Sequence, residues 1–413
     1  MPVQAAPRTI RNPLSGLLDA LIPESIDRRG IGVPAFGHAA ADLCQGVLPA
    51  LLPFLVAERG YSYGAATALL LFASVGSSLL QPLLGIYADR IRASWLMPLG
   101  TGLGAVGIGL VGFAPTYLTT GAALVVSSVG VAMFHPEGVR FAGYVAEASG
   151  RHGTGMSFFA LGGMTGWALG PILTTPAVYL LGLHGTALVA LVPAAAAVLL
   201  AANLGYLERF RPGPTASAAA RSALEAASQW GTFSIAAGAA IVRTGVQFSL
   251  QALVPLYAWK VLGTSQALGN ATVTTLLVAG AAGTLFGGRL ADRIGFRAVV
   301  VRSLAITAPL VVAVAHVPLA GVFVLVVLIG LAMEANFYPL VVVAQRALPR
   351  HVGFASGVML GLSIGCGAGI TALFGQIADH EGLRTAIQGI GVLAASAAVL
   401  ALLLPRPARD AAA

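Results

Sequence analysis

The stretch Gly130-Val-Ala-Met-Phe-His135-Pro136-Glu137-Gly138-Val-Arg140 places a histidine, a proline and a carboxylate inside a long apolar segment. About 20 consecutive apolar residues are enough to cross a bilayer, and this segment is longer than that. An ionisable side chain in hydrocarbon costs about 3 kcal/mol or more, so it normally faces the protein interior or a water-filled cavity. The stretch therefore indicates a polar site buried within a membrane protein.

The composition of the whole chain agrees with many membrane spans. Of 413 residues, 57% are hydrophobic and 9% are charged, and the mean hydropathy is +0.87; a soluble domain carries about a quarter charged residues. The net charge of +8 does not indicate nucleic-acid binding, because the basic residues fall in the short connections between apolar runs. Cys44 and Cys366 lie within apolar runs and are expected to pack there. We expect no disulfide, metal site or cofactor.

Twelve apolar runs are long enough to span a membrane. They cover residues 32–56, 64–87, 95–113, 117–145, 153–181, 185–205, 231–258, 267–288, 298–316, 320–345, 354–378 and 384–405. The sequence therefore predicts an all-α membrane protein with twelve transmembrane helices in two bundles of six. The predicted parts are an N-terminal tail (1–30), an N-terminal bundle (31–205), a linker (206–230), a C-terminal bundle (231–405) and a C-terminal tail (406–413).

The distribution of basic residues predicts the orientation. If both termini are cytoplasmic, nineteen of the basic residues lie in cytoplasmic segments and three, Arg59, Lys260 and Arg384, lie outside. The opposite orientation would violate the excess of positive charge on the cytoplasmic side. We therefore expect both tails and the linker to be cytoplasmic.

The two halves of the chain repeat. The stretch Gly330-Leu-Ala-Met-Glu334-Ala-Asn336-Phe-Tyr338-Pro339 aligns with Gly130 onward at an offset of about 200 residues, and it again combines a carboxylate with a proline. Each proline leaves the carbonyl four residues earlier without its helical hydrogen bond, so both helices are expected to bend. A buried acid on a bent helix in both halves favours a transport pathway.

Glycines also repeat at helical spacing in both halves. Gly162, Gly166 and Gly170 precede Pro171, and Gly361, Gly365 and Gly369 follow at an offset of 199 residues. Glycines four residues apart line one face of a helix and allow another backbone to approach closely. Such a face could serve packing alone, or it could let one helix slide against another during transport.

Six ionisable residues lie at membrane depth, on predicted helices 1, 4, 7 and 10: His38, Asp42, His135, Glu137, Arg243 and Glu334. His38 and Asp42 are four residues apart, so they can bond to each other on one helix face, as a structural pair or a functional one. His135 could be a backbone-bonded helix breaker, and Glu137 could pair with Arg140 as a structural lock. The alternative for the acids is a role in proton coupling.

Arg243 is the one permanent cation at this depth. An unpaired guanidinium there is too costly, so it must pair with an acid or with an anionic ligand. Gln247 and Gln251 continue its helix face. Three carboxylates against one cation cannot all stay ionised in a low-dielectric site, so at least one is expected to be protonated or paired with a histidine.

Several motifs resemble a known family. The stretch Gly85-Ile-Tyr-Ala-Asp89-Arg90 matches Gly288-Arg-Leu-Ala-Asp292-Arg293 after spans 2 and 8, and the second copy continues to Gly295 and Arg297. These loops and the twelve-span repeat resemble the major facilitator superfamily over residues 30–405. The pair Phe134-His-Pro-Glu-Gly138 and Gly150-Arg-His-Gly153 looks like the fosmidomycin resistance protein family, a branch of bacterial drug efflux transporters.

The resemblance implies a secondary transporter whose helices 1, 4, 7 and 10 line a central cavity. It implies gating roles for Asp89, Arg90, Asp292, Arg293, Gly166, Gly170 and Pro171. The residues predicted for proton coupling are Asp42, Glu137, Glu334, His38 and His135. Those predicted to bind substrate are Arg243, Gln247, Asn336, Tyr338 and Phe134.

We therefore expect a monomeric, proton-coupled antiporter in the bacterial inner membrane, exporting a small anionic or amphiphilic compound. An importer or facilitator of the same fold is the alternative. The chain lacks a G-x-x-x-x-G-K-[ST] loop, which disfavours ATP-driven transport. An intramembrane enzyme is disfavoured because it would have no need of the 6+6 repeat, and no nucleic-acid partner is expected.

Overall fold

The computed structural model describes residues 26–81, 83–84, 93–150, 152–211 and 228–405, and within these ranges all regular structure is helical. Several helices begin at polar side chains that accept hydrogen bonds from their first turn, as at Asp27, Ser62, Thr116 and Ser265. These caps stand at the ends of apolar runs, so the sequence fixes where each helix enters the bundle.

The N-terminal bundle contains six helices. They are α1 (Arg28–Arg59), α2 (Tyr63–Val75, continued by a π-helical segment Gly76–Leu80), α3 (Leu96–Val111), α4 (Tyr117–Ala148), α5 (His152–Leu181) and α6 (Thr186–Leu207). Helix α4 remains continuous through Pro136. The predicted linker starts with a 3₁₀ turn at Glu208–Phe210, and residues 212–227 of that linker lie outside the described residues.

The C-terminal bundle repeats this order. It contains α7 (Trp230–Lys260), α8 (Gln266–Ile294), α9 (Phe296–Val314), α10 (Leu319–Ala335 and Phe337–Ala347), α11 (Val352–Gly357, a π-helical segment Val358–Leu362, and Ser363–Glu381) and α12 (Leu383–Leu402). Helix α10 is divided at Asn336, three residues before Pro339, where the sequence predicted a bend. The duplicated helices α4 and α10 therefore respond differently to their prolines.

Each predicted span corresponds to one of these helices. By length and hydropathy, nine stretches of the described residues qualify as membrane spans, and one of them, Gly155–Phe210, covers both α5 and α6. Helix α3 is apolar but only 16 residues long, and α11 does not meet the criterion. The structure is therefore consistent with twelve spans, and it confirms an all-α membrane fold.

Two pairs of helices join the bundles. Helix α2 packs against α11 and α5 packs against α8, while α1 packs closely on α5 within its own bundle. The π-helical segments Gly76–Leu80 and Val358–Leu362 contact each other across this interface. Because α2 and α5 correspond to α8 and α11 in the repeat, the two pairs are related by the internal symmetry of the fold.

The bundle has two faces, which we name by their helix ends. The terminal face is where α1 begins and α12 ends, and the distal face is where α1 ends and α2 begins. At the distal face the Asp379 carboxylate of α11 accepts hydrogen bonds from the first amides of α2, Tyr63 N (2.7 Å) and Gly64 N (2.8 Å). Asn270 Nδ2 of α8 donates to the carbonyl of Ala50 on α1, at 2.9 Å. The bundles are thus closed together at the distal face.

Candidate functional site

Two histidines and an aspartate meet inside the N-terminal bundle. His38 Nε2 lies 3.3 Å from Asp42 Oδ2, one turn along α1, and His135 Nε2 of α4 lies 3.1 Å from Asp42 Oδ1. The Asp42 side chain is only 10% exposed. We call His38, Asp42 and His135 the His–Asp–His cluster. The sequence predicted the contact within α1, and the structure adds His135 from α4.

The second ring nitrogen of each histidine contacts a backbone carbonyl. His38 Nδ1 lies 2.7 Å from Phe159 O, and His135 Nδ1 lies 2.8 Å from Val131 O. A carbonyl oxygen only accepts, so the hydrogen-bond pattern assigns a hydrogen to each Nδ1. In a neutral ring, Nε2 would then point its lone pair at the Asp42 carboxylate and repel it. The observed geometry is therefore favourable when the cluster holds additional protons or another small cation.

The three donor atoms of the cluster lie within 4.8 Å of one another, which is close enough to share such a cation. The sequence predicted no metal site, and it gave no indication of this grouping, whose members come from two helices more than 90 positions apart. Protons satisfy the same geometry, because 3.1 and 3.3 Å are ordinary N–H···O distances or slightly longer.

Apolar neighbours hold the His38 ring in place. The Phe159 ring stacks on it with a centroid separation of 4.1 Å, and the Phe134 ring lies on another side at 6.2 Å. Phe134 is fully buried, so in this structure it supports His38 and does not line an open surface. A Cβ atom at Gly163 would lie 2.5 Å from Asp42 Oδ2, so glycine there leaves room for the carboxylate.

The C-terminal bundle carries an ion pair at the corresponding depth. Arg243 Nη2 of α7 donates to Glu334 Oε1 and to Met333 O of α10, both at 2.8 Å, and Arg243 Nε donates to Asn336 Oδ1 at 3.3 Å. The guanidinium also lies over the Phe337 ring, 4.9 Å from its centroid. The Arg243 side chain is 5% exposed and that of Glu334 12%. Arg243 therefore has an acid partner, one of the two possibilities that the sequence left open.

The ion pairs of Glu137 are with arginines and not with the His–Asp–His cluster. Its side chain is fully buried, with Oε1 2.8 Å from Arg140 Nη1 and Oε2 4.0 Å from Arg211 Nη2. Arg211 also donates to both oxygens of Glu208, and these hydrogen bonds raise the Arg211 pKa above its usual value. Glu137 thus ties the terminal end of α4 to the start of the linker, as the structural alternative for this residue predicted.

Tyr338 and Gln247 are two further residues predicted to bind substrate. The Tyr338 side chain of α10 is 43% exposed, and its ring contacts Phe337, with a centroid separation of 5.3 Å. Gln247 is buried one turn after Arg243, and its Oε1 has no hydrogen-bond partner among the described residues.

A small cavity lies between the bundles, beside the cluster. Its volume is about 30 Å³, and its lining residues are Gln45, Pro49, Leu70, Ala73, Ser74, Trp167, Phe248, Gln251 and Ile364. Sequence reasoning did not assign Gln45, Trp167 or Phe248 to a site. A signal existed for Gln45, a polar residue three positions after Asp42 in an apolar run. Trp167 lies within the α5 glycine row, whose spacing indicates helix packing and not a binding site.

Of the predicted gating residues, the structure describes only some. Asp89 and Arg90 lie outside the described residues, as does the side chain of Asp292, while Arg293 is exposed near the end of α8. Positions 166 and 170, beside Pro171 on α5, face the α1 backbone: a Cβ at Gly166 would collide with the Ala39 carbonyl and one at Gly170 with Gly46. The α5 row therefore packs within the N-terminal bundle.

Comparison with known families agrees with this architecture. The model of the Major Facilitator Superfamily matches residues 35–359 and, in a second alignment, residues 235–413. The chain belongs to the major facilitator superfamily. It is accordingly a multi-pass membrane protein and a secondary transporter, and it is not an enzyme.

Two relatives within the superfamily align over most of the chain. An uncharacterized MFS-type transporter of Bacillus subtilis, YfnC, is 30% identical over 378 residues, covering 89% of this chain and 90% of the relative. The fosmidomycin resistance protein of Escherichia coli is 28% identical over 357 residues, covering 86% and 87%. The resemblance to the fosmidomycin resistance family, based on the α4 motif, is thus confirmed.

Solved superfamily structures share the fold at low identity. The nucleoside transporter NupG aligns with a TM-score of 0.74 and 11% identity, covering 92% of this chain and 100% of that one. A bacterial homolog of the human lysosomal transporter Spinster, in an inward-facing and unoccupied conformation, aligns with a TM-score of 0.69 and 16% identity, covering 92% and 98%. These likenesses establish the major facilitator architecture.

Proposed function

We propose that the protein is a proton-coupled antiporter that exports a small amphiphilic or anionic compound across the bacterial cytoplasmic membrane. The observation that carries the proposal is the His–Asp–His cluster, whose two Nε2 atoms converge on one buried carboxylate while both Nδ1 atoms bond to carbonyls. Taking up and losing protons changes the charge of this cluster, and therefore its fit to the surrounding helices.

Charge balance favours this cluster over the other buried acids as the proton carrier. Glu334 is paired with the permanent cation Arg243, and Glu137 with the permanent cation Arg140. Among the described residues, Asp42 has the two histidines as its ionisable partners at contact distance. Histidine is also the side chain whose charge changes most readily near neutral pH.

Alternating access then follows from helix position. The cluster joins α1 to α4 through His135 and α1 to α5 through the Phe159 carbonyl, and α5 packs against α8 of the other bundle. Loss of protons would make Asp42 repel the histidine lone pairs and loosen these contacts. The distal face is closed in this structure, so we infer that the protonated cluster accompanies the state closed on that side.

The distribution of basic residues supports an orientation for the fold. The basic residues lie mainly at the terminal face and in the predicted tails and linker, which we propose to be cytoplasmic, with the distal face outside. The likeness to the E. coli fosmidomycin resistance protein supports a drug-like substrate. We propose that a monomer is sufficient for transport, since the two bundles of one chain already enclose the site.

The test is transport of fosmidomycin by purified protein in proteoliposomes with a controlled pH gradient. Proton-driven transport should occur in the unmodified protein, and Asp42→Asn should abolish it while leaving fosmidomycin-for-fosmidomycin exchange, because exchange needs no net proton movement. Glu137→Gln is the matched control, a buried acid with its own basic partner, and should retain proton-driven transport. Measurements with and without a chelator distinguish protons from a bound metal ion.

Two outcomes would refute the proposal. Proton-driven transport that survives Asp42→Asn would place the carrier elsewhere. Transport that ignores the pH gradient in the unmodified protein would favour a facilitator or importer of the same fold.

A further inference from the structure

The cavity between the bundles has no charged wall among its described lining residues. Trp167 of α5 and Phe248 of α7 lie across it with ring centroids 6.1 Å apart, and the polar lining groups include the amides of Gln45 and Gln251. Aromatic rings and amides recognise planar, uncharged groups by stacking and hydrogen bonding. The site thus differs from the ionised groups on which sequence reasoning focused.

One buried polar atom on a lining residue of the cavity has no hydrogen-bond partner among the described residues. Trp167 Nε1 is a donor without an acceptor. Buried polar atoms are normally paired because leaving them unpaired is unfavourable. A ligand acceptor would satisfy Trp167, and a ligand that also donates could bond to the amide oxygens of Gln45 and Gln251, whereas a carboxylate offers acceptors only.

An anionic ligand has no free cation here. The nearest permanent cation on α7 is Arg243, and its guanidinium already bonds to Glu334, Met333 O and Asn336. The Glu334 carboxylate already balances the charge of this guanidinium, so an anion added there would leave two negative groups against one cation, which is unfavourable in a buried site. The described geometry therefore favours an uncharged group over an anion in this cavity.

Gln45 connects the cavity to the His–Asp–His cluster. Its side chain lines the cavity, and its Nε2 donates a 3.0 Å hydrogen bond to Asp42 Oδ1. A hydrogen bond to a carboxylate stabilises the ionised form, so withdrawing this donor favours protonation of Asp42. A ligand that accepts the Gln45 amide hydrogen would withdraw it.

We propose that this cavity binds an uncharged, planar, hydrogen-bonding part of the substrate, and that Gln45 couples its occupancy to the protonation of Asp42. The second half of this statement rests on the proposed function. The titratable groups in contact with Asp42 are His38 on α1 and His135 on α4, and Gly163 is the part of α5 next to its carboxylate. Cys44 on α1 and Tyr338 on α10 are near enough to interact with its charge. Gln45 is a positioning residue, because it acts on the proton through Asp42.

The cavity must widen to accept such a group. A volume of about 30 Å³ is room for only one or two water molecules. Its walls come from both bundles, with Gln45 and Trp167 on one side and Phe248 and Gln251 on the other. Movement of the bundles during transport would therefore open and close this site directly.

The test uses benzamide and benzoate, which have the same shape and differ in charge and in hydrogen-bond donors. Binding to the purified full-length protein is followed by tryptophan fluorescence, and proton exchange with a pH indicator in weakly buffered detergent. Benzamide should bind at least about ten-fold more tightly than benzoate. Its binding should be accompanied by proton uptake, because Asp42 loses the Gln45 donor.

Three substitutions separate the parts of the proposal. Gln251→Met should weaken benzamide binding several-fold by removing an amide of the cavity wall. Gln45→Met keeps a side chain of similar length without the amide, so benzamide should still bind but without proton uptake. Gln388→Met is the control, since Gln388 bonds to His316 far from the cavity, and should change neither measurement.

The outcomes that overturn the inference are distinct from those of the proposed function. Benzoate binding as tight as benzamide binding, no benzamide binding, or binding unaffected by Gln251→Met refutes the cavity assignment. Proton uptake that persists in Gln45→Met refutes the coupling role. Benzamide binding in a protein that shows no pH-driven transport would refute the antiporter and leave the binding site standing.

Discussion

The two bundles place polar groups on corresponding helices, and those groups have opposite chemistry. In the N-terminal bundle, α1 and α4 bring together two histidines and Asp42, none of which carries a permanent positive charge. In the C-terminal bundle, α7 and α10 bring together Arg243, Glu334 and an amide. The repeat therefore preserves the location of a polar contact while the residues that form it have diverged.

This difference indicates a division of roles between the halves. An arginine remains charged at any physiological pH, so the Arg243–Glu334 pair is a fixed connection between α7 and α10. The cluster around Asp42 can gain or lose protons, so the connection between α1 and α4 can change strength. We therefore propose that the N-terminal cluster responds to pH while the Arg243–Glu334 pair stays constant.

The largest expected effect comes from breaking the fixed pair. Arg243→Met leaves Glu334 buried without its cation, which should cost about 3–5 kcal/mol of stability. Adding Glu334→Met should recover most of that loss, because no buried charge then remains unpaired. The measurement is reversible unfolding in mixed detergent micelles.

The matching substitution in the N-terminal bundle is Asp42→Asn, which keeps the shape of the side chain. Asp42→Asn removes a charge that the histidines can compensate by losing protons, so it should cost about 1 kcal/mol. A loss from Asp42→Asn as large as that from Arg243→Met would show that both halves contain fixed ion pairs, against the division of roles.

The glycine rows of α5 and α11 offer a second contrast between the halves. A Cβ at Gly166 would collide with the Ala39 carbonyl of α1, whereas a Cβ at Gly369 on α11 would meet only Leu71 Cδ2 of α2, at 3.8 Å. Gly166→Ala should therefore destabilise the protein by about 1–3 kcal/mol through overpacking. Gly369→Ala should be neutral or stabilise it by up to about 1 kcal/mol through higher helix propensity.

Thermal unfolding of the two alanine variants, followed by fluorescence, would measure this difference. Equal destabilisation by both substitutions would mean that Gly369 is as tightly packed as Gly166. The contrast also bears on transport, since Gly166 packs on α1 of its own bundle and Gly369 faces α2 of the other bundle.

The sequence predicted the helices well and the site only in part. A run of about 20 apolar residues is a local property, and so is the contact of His38 with Asp42 at four-residue spacing. The approach of His135 to Asp42, and of Gln45 and Trp167 to one cavity, depends on how separate helices pack. No spacing in the sequence carries that information, and neither does it show that Phe134, which is predicted to bind substrate, packs beside His38 in this structure.

A smaller effect is expected at Glu137. Glu137→Gln keeps the side-chain shape but removes the charge that binds Arg140 and lies 4.0 Å from Arg211, so it should cost about 1–2 kcal/mol. It should not alter the pH dependence of transport if the exchanged proton resides on the cluster, as we propose. A shifted pH profile in this variant would make Glu137 a second titrating acid of the N-terminal half.

The smallest expected effect concerns the contact that closes the two halves together. Asp379 accepts hydrogen bonds from Tyr63 N and Gly64 N, and a carboxylate at a helix N-terminus contributes about 0.5–1 kcal/mol. Asp379→Asn keeps one acceptor and loses the charge, so the state closed at the distal face should become about two- to five-fold less favoured. His380→Gln, at the neighbouring position, is the matched control and should leave the balance unchanged.

Distances across the distal face would measure this shift. Spin labels at Leu118 on α4 and Thr385 on α12, both exposed, report the separation of the bundles in a background with Cys44→Ala and Cys366→Ala. In Asp379→Asn the longer distances should gain population, and raising the pH should add to that gain, because deprotonating the cluster loosens α1 from α4. If the population of longer distances rises with pH in Asp379→Asn but not in Asp42→Asn combined with Asp379→Asn, the His–Asp–His cluster is linked to closure of the distal face. Distance distributions that are identical in all variants would show that neither the α2–α11 contact nor the cluster controls the distal face.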